Sequence, residues 1–245
     1  MSRLNVTRAA FVLAAFVLAG CGTVPDLPPM PERLVINQTP ALPTPTPGSI
    51  TLSPDGFRTT ERVAVRVRNV GCEGVSIGSG FAVSANRLVT NRHVVTGAAT
   101  LQVSTYDGQD LLVEASGTAV LADLAVVETS SPLPAAVELA DEDPAVGTEV
   151  EIIGYPGGGR LTSSTGEVLS YEEDPLNANA GEVIVSSAFA QPGSSGSPMY
   201  DSEGRVVGVV YAAAPDGQHS LAIPASTLRG LLDQTSLDEP VPDCQ

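Results

Sequence analysis

The 245-residue sequence predicts an all-β fold, a sandwich or a barrel, closed by one short C-terminal helix. Short apolar or alternating runs recur from residue 63 to 211, turn chemistry separates them, and only Ala225–Leu232 carries a convincing helical pattern. Val63, Val65 and Val67 alternate with Ala64, Arg66 and Arg68, the signature of a half-buried strand. Further strands are expected at Phe81–Val83, Leu88–Thr90, Leu111–Val113, Leu121–Val127, Val150–Ile153, Val183–Val185 and Val206–Tyr211. Asp107-Gly108, the Gly157–Gly159 run and Asp201–Gly204 supply the turns between them.

The residues ahead of these strands read differently. Arg3 and Arg8 form a short positive segment, followed by an apolar run from Ala9 to Ala19. Such a run is too short to span a bilayer and fits the core of a secretory signal over residues 1–20. It ends in Leu18-Ala19-Gly20-Cys21, which resembles the lipobox of bacterial lipoproteins and implies lipidation of Cys21. Loss of residues 1–20 removes two arginines and no acid, taking the formal charge from −16 to −18. A chain so acidic is repelled by anionic lipid, so membrane attachment is expected through acyl chains. Residues 21–52 hold eight prolines between Pro25 and Pro47, which preclude helix and leave a semi-extended tether. The expected location is the cell envelope, outside the cytoplasm.

Composition excludes several chemistries. The net charge of −16 opposes nucleic-acid binding, which needs clustered cations. All twelve basic residues are Arg, so a Walker A loop, Schiff-base chemistry and a Ser-Lys pair are ruled out. Three Cys and two His make a zinc site hard to assemble, and neither a metal nor a cofactor is expected. With Cys21 lipidated, Cys72 and Cys244 remain as one pair in an oxidising compartment. Two free thiols are the alternative to the disulfide expected there.

Gly193-Ser194-Ser195-Gly196-Ser197-Pro198 sets a Ser in a tight loop whose glycines let backbone N–H groups converge. A Ser hydroxyl needs a base, and only His93 and His219 are available. His93 follows the Leu88–Thr90 strand, where a turn can present it. An imidazole in turn needs an orienting carboxylate. Asp123 sits in the apolar run Leu121–Val127, where burial without a partner is costly. The order His, Asp, Ser is the chymotrypsin order, and no G-x-S-x-G elbow of an α/β-hydrolase occurs.

On these residues the chain resembles trypsin-like serine proteases of the bacterial HtrA-like and MarP-like branch, from about Val63 to Leu232. The carriers are Gly78–Phe81, Thr90–Val95, Asp123–Val126, Gly154–Gly159, Pro192–Pro198, Arg205–Tyr211 and Leu221–Pro224. The resemblance implies two antiparallel six-stranded β-barrels and a short C-terminal helix over residues 53–235. The split falls near residues 130–144, and 236–245 form a tail. It also implies Ser195 as nucleophile, His93 as general base, Asp123 as its orienter, and Gly193 and Ser195 N–H groups as the oxyanion hole. The specificity pocket is then expected from Phe189, Ala190, Tyr211, Ala212, Ala213 and Ser220. None of these is acidic, so cleavage after small or medium apolar residues is expected, with Asp216 the nearest acid that could overturn this. Ser194 stands where trypsin has an activating Asp, and Arg92 and Ser197 replace smaller residues of the family pattern. No PDZ domain is expected after the helix. The reading is a monomeric, envelope-tethered endopeptidase acting on proteins or peptides. A catalytically silent binding domain and a structural lipoprotein are the rivals, and neither accounts for three triad residues together.

Overall fold

The computed structural model describes residues 54–71, 74–118, 122–178 and 181–233. Cys21, the signal, the tether, the C-terminal tail, Cys72 and Cys244 lie outside the described residues. A short helix α1 (Thr59–Arg62) leads into β1 (Ala64–Gly71), β2 (Val75–Ala82) and β3 (Arg87–Thr90). The one-turn helix α2 (Arg92–Val95) follows, then β4 (Ala98–Thr105), β5 (Asp110–Leu111), β6 (Val113–Thr118) and β7 (Ala125–Thr129). The second half holds β8 (Glu149–Gly154), a 3-10 turn (Pro156–Gly158), β9 (Thr162–Glu173) and β10 (Glu182–Ser186). It ends with β11 (Pro198–Tyr200), β12 (Val206–Ala213), β13 (Ser220–Pro224) and helix α3 (Ala225–Asp233).

The second half closes into a six-stranded antiparallel barrel in the order β10-β13-β12-β11-β8-β9. The first half corrects the expectation of two such barrels. It is a seven-stranded sheet, β5-β4-β1-β2-β3-β7-β6, that curls without closing. The reason lies at Leu112, the single residue between its two edge strands. A hairpin needs at least two loop residues, so β5 and β6 cannot pair with each other. Among the described residues β5 pairs only with β4, over two residues, and β6 only with β7, with Leu112 between them turned out to solvent, so no ladder joins the two edges. A second correction concerns the disulfide. The expected Cys72–Cys244 bond is not among the bonds of the described residues, and all three cysteines lie outside them.

Local sequence accounts for the sheet's inner face. Val63, Val65 and Val67 are all fully buried, as their alternation requires. Ala64, on the opposite face, is buried as well, and Tyr155 OH from the second half donates to its carbonyl at 3.5 Å. Phe81, Leu88, Val89, Leu124 and Val126 pack inside the sheet, in a core that continues into Tyr155, Val209 and Leu221 of the barrel half. Ile184, Met199, Val210 and Ala222 fill the barrel itself.

The chain enters the domain through a strap bonded to both halves. Arg58 donates to both carboxylate oxygens of Glu151 on β8 at 2.8 and 2.9 Å, and Tyr200 OH on β11 donates to the Thr60 carbonyl at 3.2 Å. On the sheet side Asp55 accepts from Arg62 at 2.6 Å and from Tyr106, after β4, at 2.9 Å. The Arg62 guanidinium holds the Asp55 carboxyl down at about 2.

Candidate active site

His93 stands in the single turn of α2, directly after β3. A longer apolar run would extend the strand, but Asn91 is extended and turns the chain. Its buried amide donates to the Asp123 carbonyl at 2.8 Å, tying α2 to the segment ahead of β7. That segment, Ala122–Leu124, stays out of the ladder, so the apolar run supplies strand only from Ala125 onward. Asp123 thereby turns its carboxylate toward α2. One oxygen accepts the His93 backbone N–H at 2.9 Å and the other meets His93 Nδ1 at 2.5 Å. The carboxylate is 5% exposed and the imidazole 49%, so the charge is buried with its partners while the ring's outer edge faces the cleft.

Ser195 comes from the loop between β10 and β11. Its carbonyl accepts the Ser79 N–H of β2 at 2.7 Å, which binds the loop to the sheet that carries His93. A Cβ at Gly78 would strike Val94, the neighbour of His93, and come within 3.1 Å of the Ser195 carbonyl. Glycine here lets the nucleophile loop and α2 approach. Gly196 has φ of +87°, and a Cβ there would lie 2.0 Å from the Ser79 carbonyl oxygen. Ser195 Oγ donates to the Tyr211 carbonyl at 3.2 Å and, among the described residues, makes no hydrogen bond to His93. Gly193 (φ +92°) follows Pro192, whose carbonyl accepts from Gly157 N–H at 2.7 Å. Among the described residues the N–H groups of Gly193 and Ser195 meet no acceptor. Two unpaired donors in one loop are what a developing oxyanion needs.

A cleft of about 520 Å³ lies beside the His93–Asp123 pair and is lined also by Tyr211, Ala212, Leu176 and Ala178. A larger cavity of about 780 Å³, lined by Arg58, Glu151, Glu167 and Asp201, shares none of these residues. The residues expected to form the specificity pocket are dispersed in character. Ala190, Tyr211 and Ser220 are buried, Ala212 is half-buried, and Phe189 and Ala213 are exposed. Only Tyr211 and Ala212 line the cleft. His219, the other histidine, pairs with Asp216 in the exposed β12–β13 turn. Asp216 also accepts the Gln218 and His219 N–H groups, and these bonds hold its carboxyl below the usual range.

Two residues near the site escaped the reading of the sequence. Asp174 is buried and accepts Tyr211 OH at 2.5 Å and the N–H groups of Leu176 and Ala178 at 2.9 and 2.8 Å, which builds the turn that walls the cleft. Its only local signal is an Asp-Pro turn start at Asp174-Pro175. Ser79 belongs to a quoted motif, yet nothing local reveals that its hydroxyl reaches Gly193, 114 residues away.

Comparison with known proteins places these features. The serine protease Rv3671c of Mycobacterium tuberculosis is 29% identical over 220 residues, which cover 84% of this chain and 54% of that protein. A probable periplasmic serine endoprotease, DegP-like, of Hahella chejuensis is 34% identical over 139 residues, 56% of this chain and 30% of its own length. The chain thus spans about half, or less, of these relatives. The crystal structure of the Rv3671c protease in its active form superposes with a TM-score of 0.67 at 28% identity, covering 75% of this chain and 85% of that one. Its inactive form gives 0.63 at 26% identity, over 74% and 91%. The trypsin-like peptidase domain matches residues 78–209, the stretch that holds His93, Asp123 and Ser195. A match over more than half of the chain makes it a member of the trypsin-like peptidase family, serine proteases of the hydrolase class.

Proposed function

We propose that the chain is a serine endopeptidase that works through an acyl-enzyme on Ser195. The observation that carries this is the His93 Nδ1–Asp123 contact of 2.5 Å. It keeps the imidazole proton on Nδ1 and leaves Nε2, on the exposed edge, as the base. A staggered rotation about χ1 takes Ser195 Oγ from the Tyr211 carbonyl toward that nitrogen. Oγ attacks the substrate carbonyl carbon as its proton passes to His93, and the oxyanion gathers between the Gly193 and Ser195 N–H groups. Collapse breaks the C–N bond, and His93 gives the proton to the leaving amine. Water repeats the sequence on the ester and returns the proton to Ser195. Ser195→Ala should lose fluorophosphonate labelling and peptide cleavage, on the order of 10⁶-fold in kcat, while Ser194→Ala and Ser197→Ala keep both. Undiminished cleavage by Ser195→Ala overturns the assignment.

The preference read from the site is for small or medium apolar side chains before the scissile bond. No acid occurs among residues 189–192 or 211–213, and Asp216 is engaged within its own turn. The lipobox-like Leu18–Cys21 and the proline-rich segment after it support a lipid-anchored domain in the cell envelope, in keeping with the periplasmic naming of the Hahella relative. A peptide library tests the first reading, and mass analysis of the N-terminal peptide the second. Dominant cleavage after Arg, or an unmodified N-terminus, overturns them in turn.

A further inference from the structure

Each peptide unit from residue 192 to 196 is held by a hydrogen bond. Pro192 O accepts from Gly157 N–H at 2.7 Å, and Ser194 O from Ser197 N–H at 3.0 Å. Gly193 O accepts from Ser79 Oγ at 2.8 Å, and Ser195 O from Ser79 N–H at 2.7 Å. A trans peptide points its N–H away from its carbonyl. The bond to Gly157 therefore turns Gly193 N–H to the other side, and the bond to Ser197 does the same for Ser195 N–H. These are the two donors without an acceptor among the described residues. Ser79 fixes the peptide planes that follow each of them.

Ser79 is fully buried and fully used. Its hydroxyl accepts Tyr155 N–H at 2.8 Å while donating to Gly193 O, and its carbonyl accepts Thr90 Oγ1 at 2.7 Å. One side chain on β2 thus joins the His93-bearing sheet, the Tyr155–Gly158 turn and the nucleophile loop. We infer that Ser79 is a positioning residue for the reaction: its hydroxyl pins the Gly193 carbonyl, and with it the conformation of the residue whose N–H the Pro192–Gly157 bond turns to the oxyanion pocket, without touching substrate. The inference rests on the peptidase reading above. Without the hydroxyl, Gly193 O and Tyr155 N lose a buried partner, and Gly193, lacking a Cβ, can rotate its peptides. The loss then falls on the tetrahedral state and not on substrate binding.

Kinetics of Ser79→Ala test this beside the wild-type chain. The expected result is a fall in kcat of about 10–100-fold, below the 10²–10³ seen when an oxyanion donor is removed outright, with KM within about threefold. A peptide boronic acid, whose adduct oxygen sits where the oxyanion does, should weaken by the same factor. Substrate-like peptide binding, measured in the Ser195→Ala background, should not change. Ser79→Cys substitutes a slightly larger thiol that is a weaker donor, so it should give an intermediate loss, and it carries the test if the Ala variant does not fold. Wild-type kcat and boronate affinity in either folded variant overturn the inference, as does a loss that only tracks the unfolded fraction. A wild-type chain that neither labels with fluorophosphonate nor cleaves peptides refutes the peptidase reading and this inference together; an active wild type with an unaffected Ser79→Ala refutes only the role of Ser79.

Discussion

Asp123 has two bonds to one residue, the backbone N–H and the ring of His93, and so acts on a rotamer and a tautomer at once. Asp123→Asn separates these. An amide retains the size and can still accept the backbone N–H, but its NH₂ group facing Nδ1 forces the ring proton onto Nε2. The base is then lost with the fold intact. A fall in kcat of about 10⁴-fold is expected, with a urea midpoint close to wild type. Steady-state kinetics beside a denaturation curve check this; full activity in a folded Asn variant removes Asp123 from the mechanism. At this scale the sequence was informative where chemistry is local. Ser195 stands out between glycines, and Asp123 is conspicuous as an acid in an apolar run. Ser79 and Asp174 act through partners 114 and 37 residues away, a separation no local pattern records.

Among the elements, α3 depends on contacts outside itself. Leu228 is its fully buried anchor, and Asp143 reaches its first turn to accept Ser226 N–H at 3.0 Å and Ser226 Oγ at 2.6 Å. Leu228→Ala should cost about 2–5 kcal/mol through lost burial and the cavity left behind. Asp143→Ala should cost about 1 kcal/mol, the usual loss on removing a helix N-terminal acceptor. Urea denaturation measures both, and equal costs would show that packing does not dominate the docking of α3. The helix and most strands were legible because their apolar residues keep a clear period. The Leu111–Val113 run was misleading in kind: its residues are extended as expected, yet the ladder changes partner at Leu112. Whether a curled sheet closes is decided by pairing between distant edges, and alternation along one strand does not encode it.

For the molecule as a whole, buried and half-buried phenols bear on stability at alkaline pH. Burial pushes Tyr155 and Tyr171 up to about 12 and raises Tyr200 as well. In the unfolded chain phenols ionise near 10, so between about pH 10 and 12 the folded state retains protons that the unfolded state has released. Stability is therefore full below about pH 10 and falls as pH rises toward 12. The urea midpoint should follow that course, and Tyr171→Phe should flatten the fall; an unchanged slope would remove Tyr171 from the account. The strap of residues 55–62 gives the same body a mechanical property. It is fastened to the barrel through Glu151 and Tyr200 and to the sheet through Tyr106. A pull applied ahead of Pro54 meets the Asp55 contacts first and reaches β1 only after Arg58 has let go of Glu151. The segment is placed like a cable clamp: tension is spread over both halves and kept off the strand whose neighbour, β2, carries Ser79.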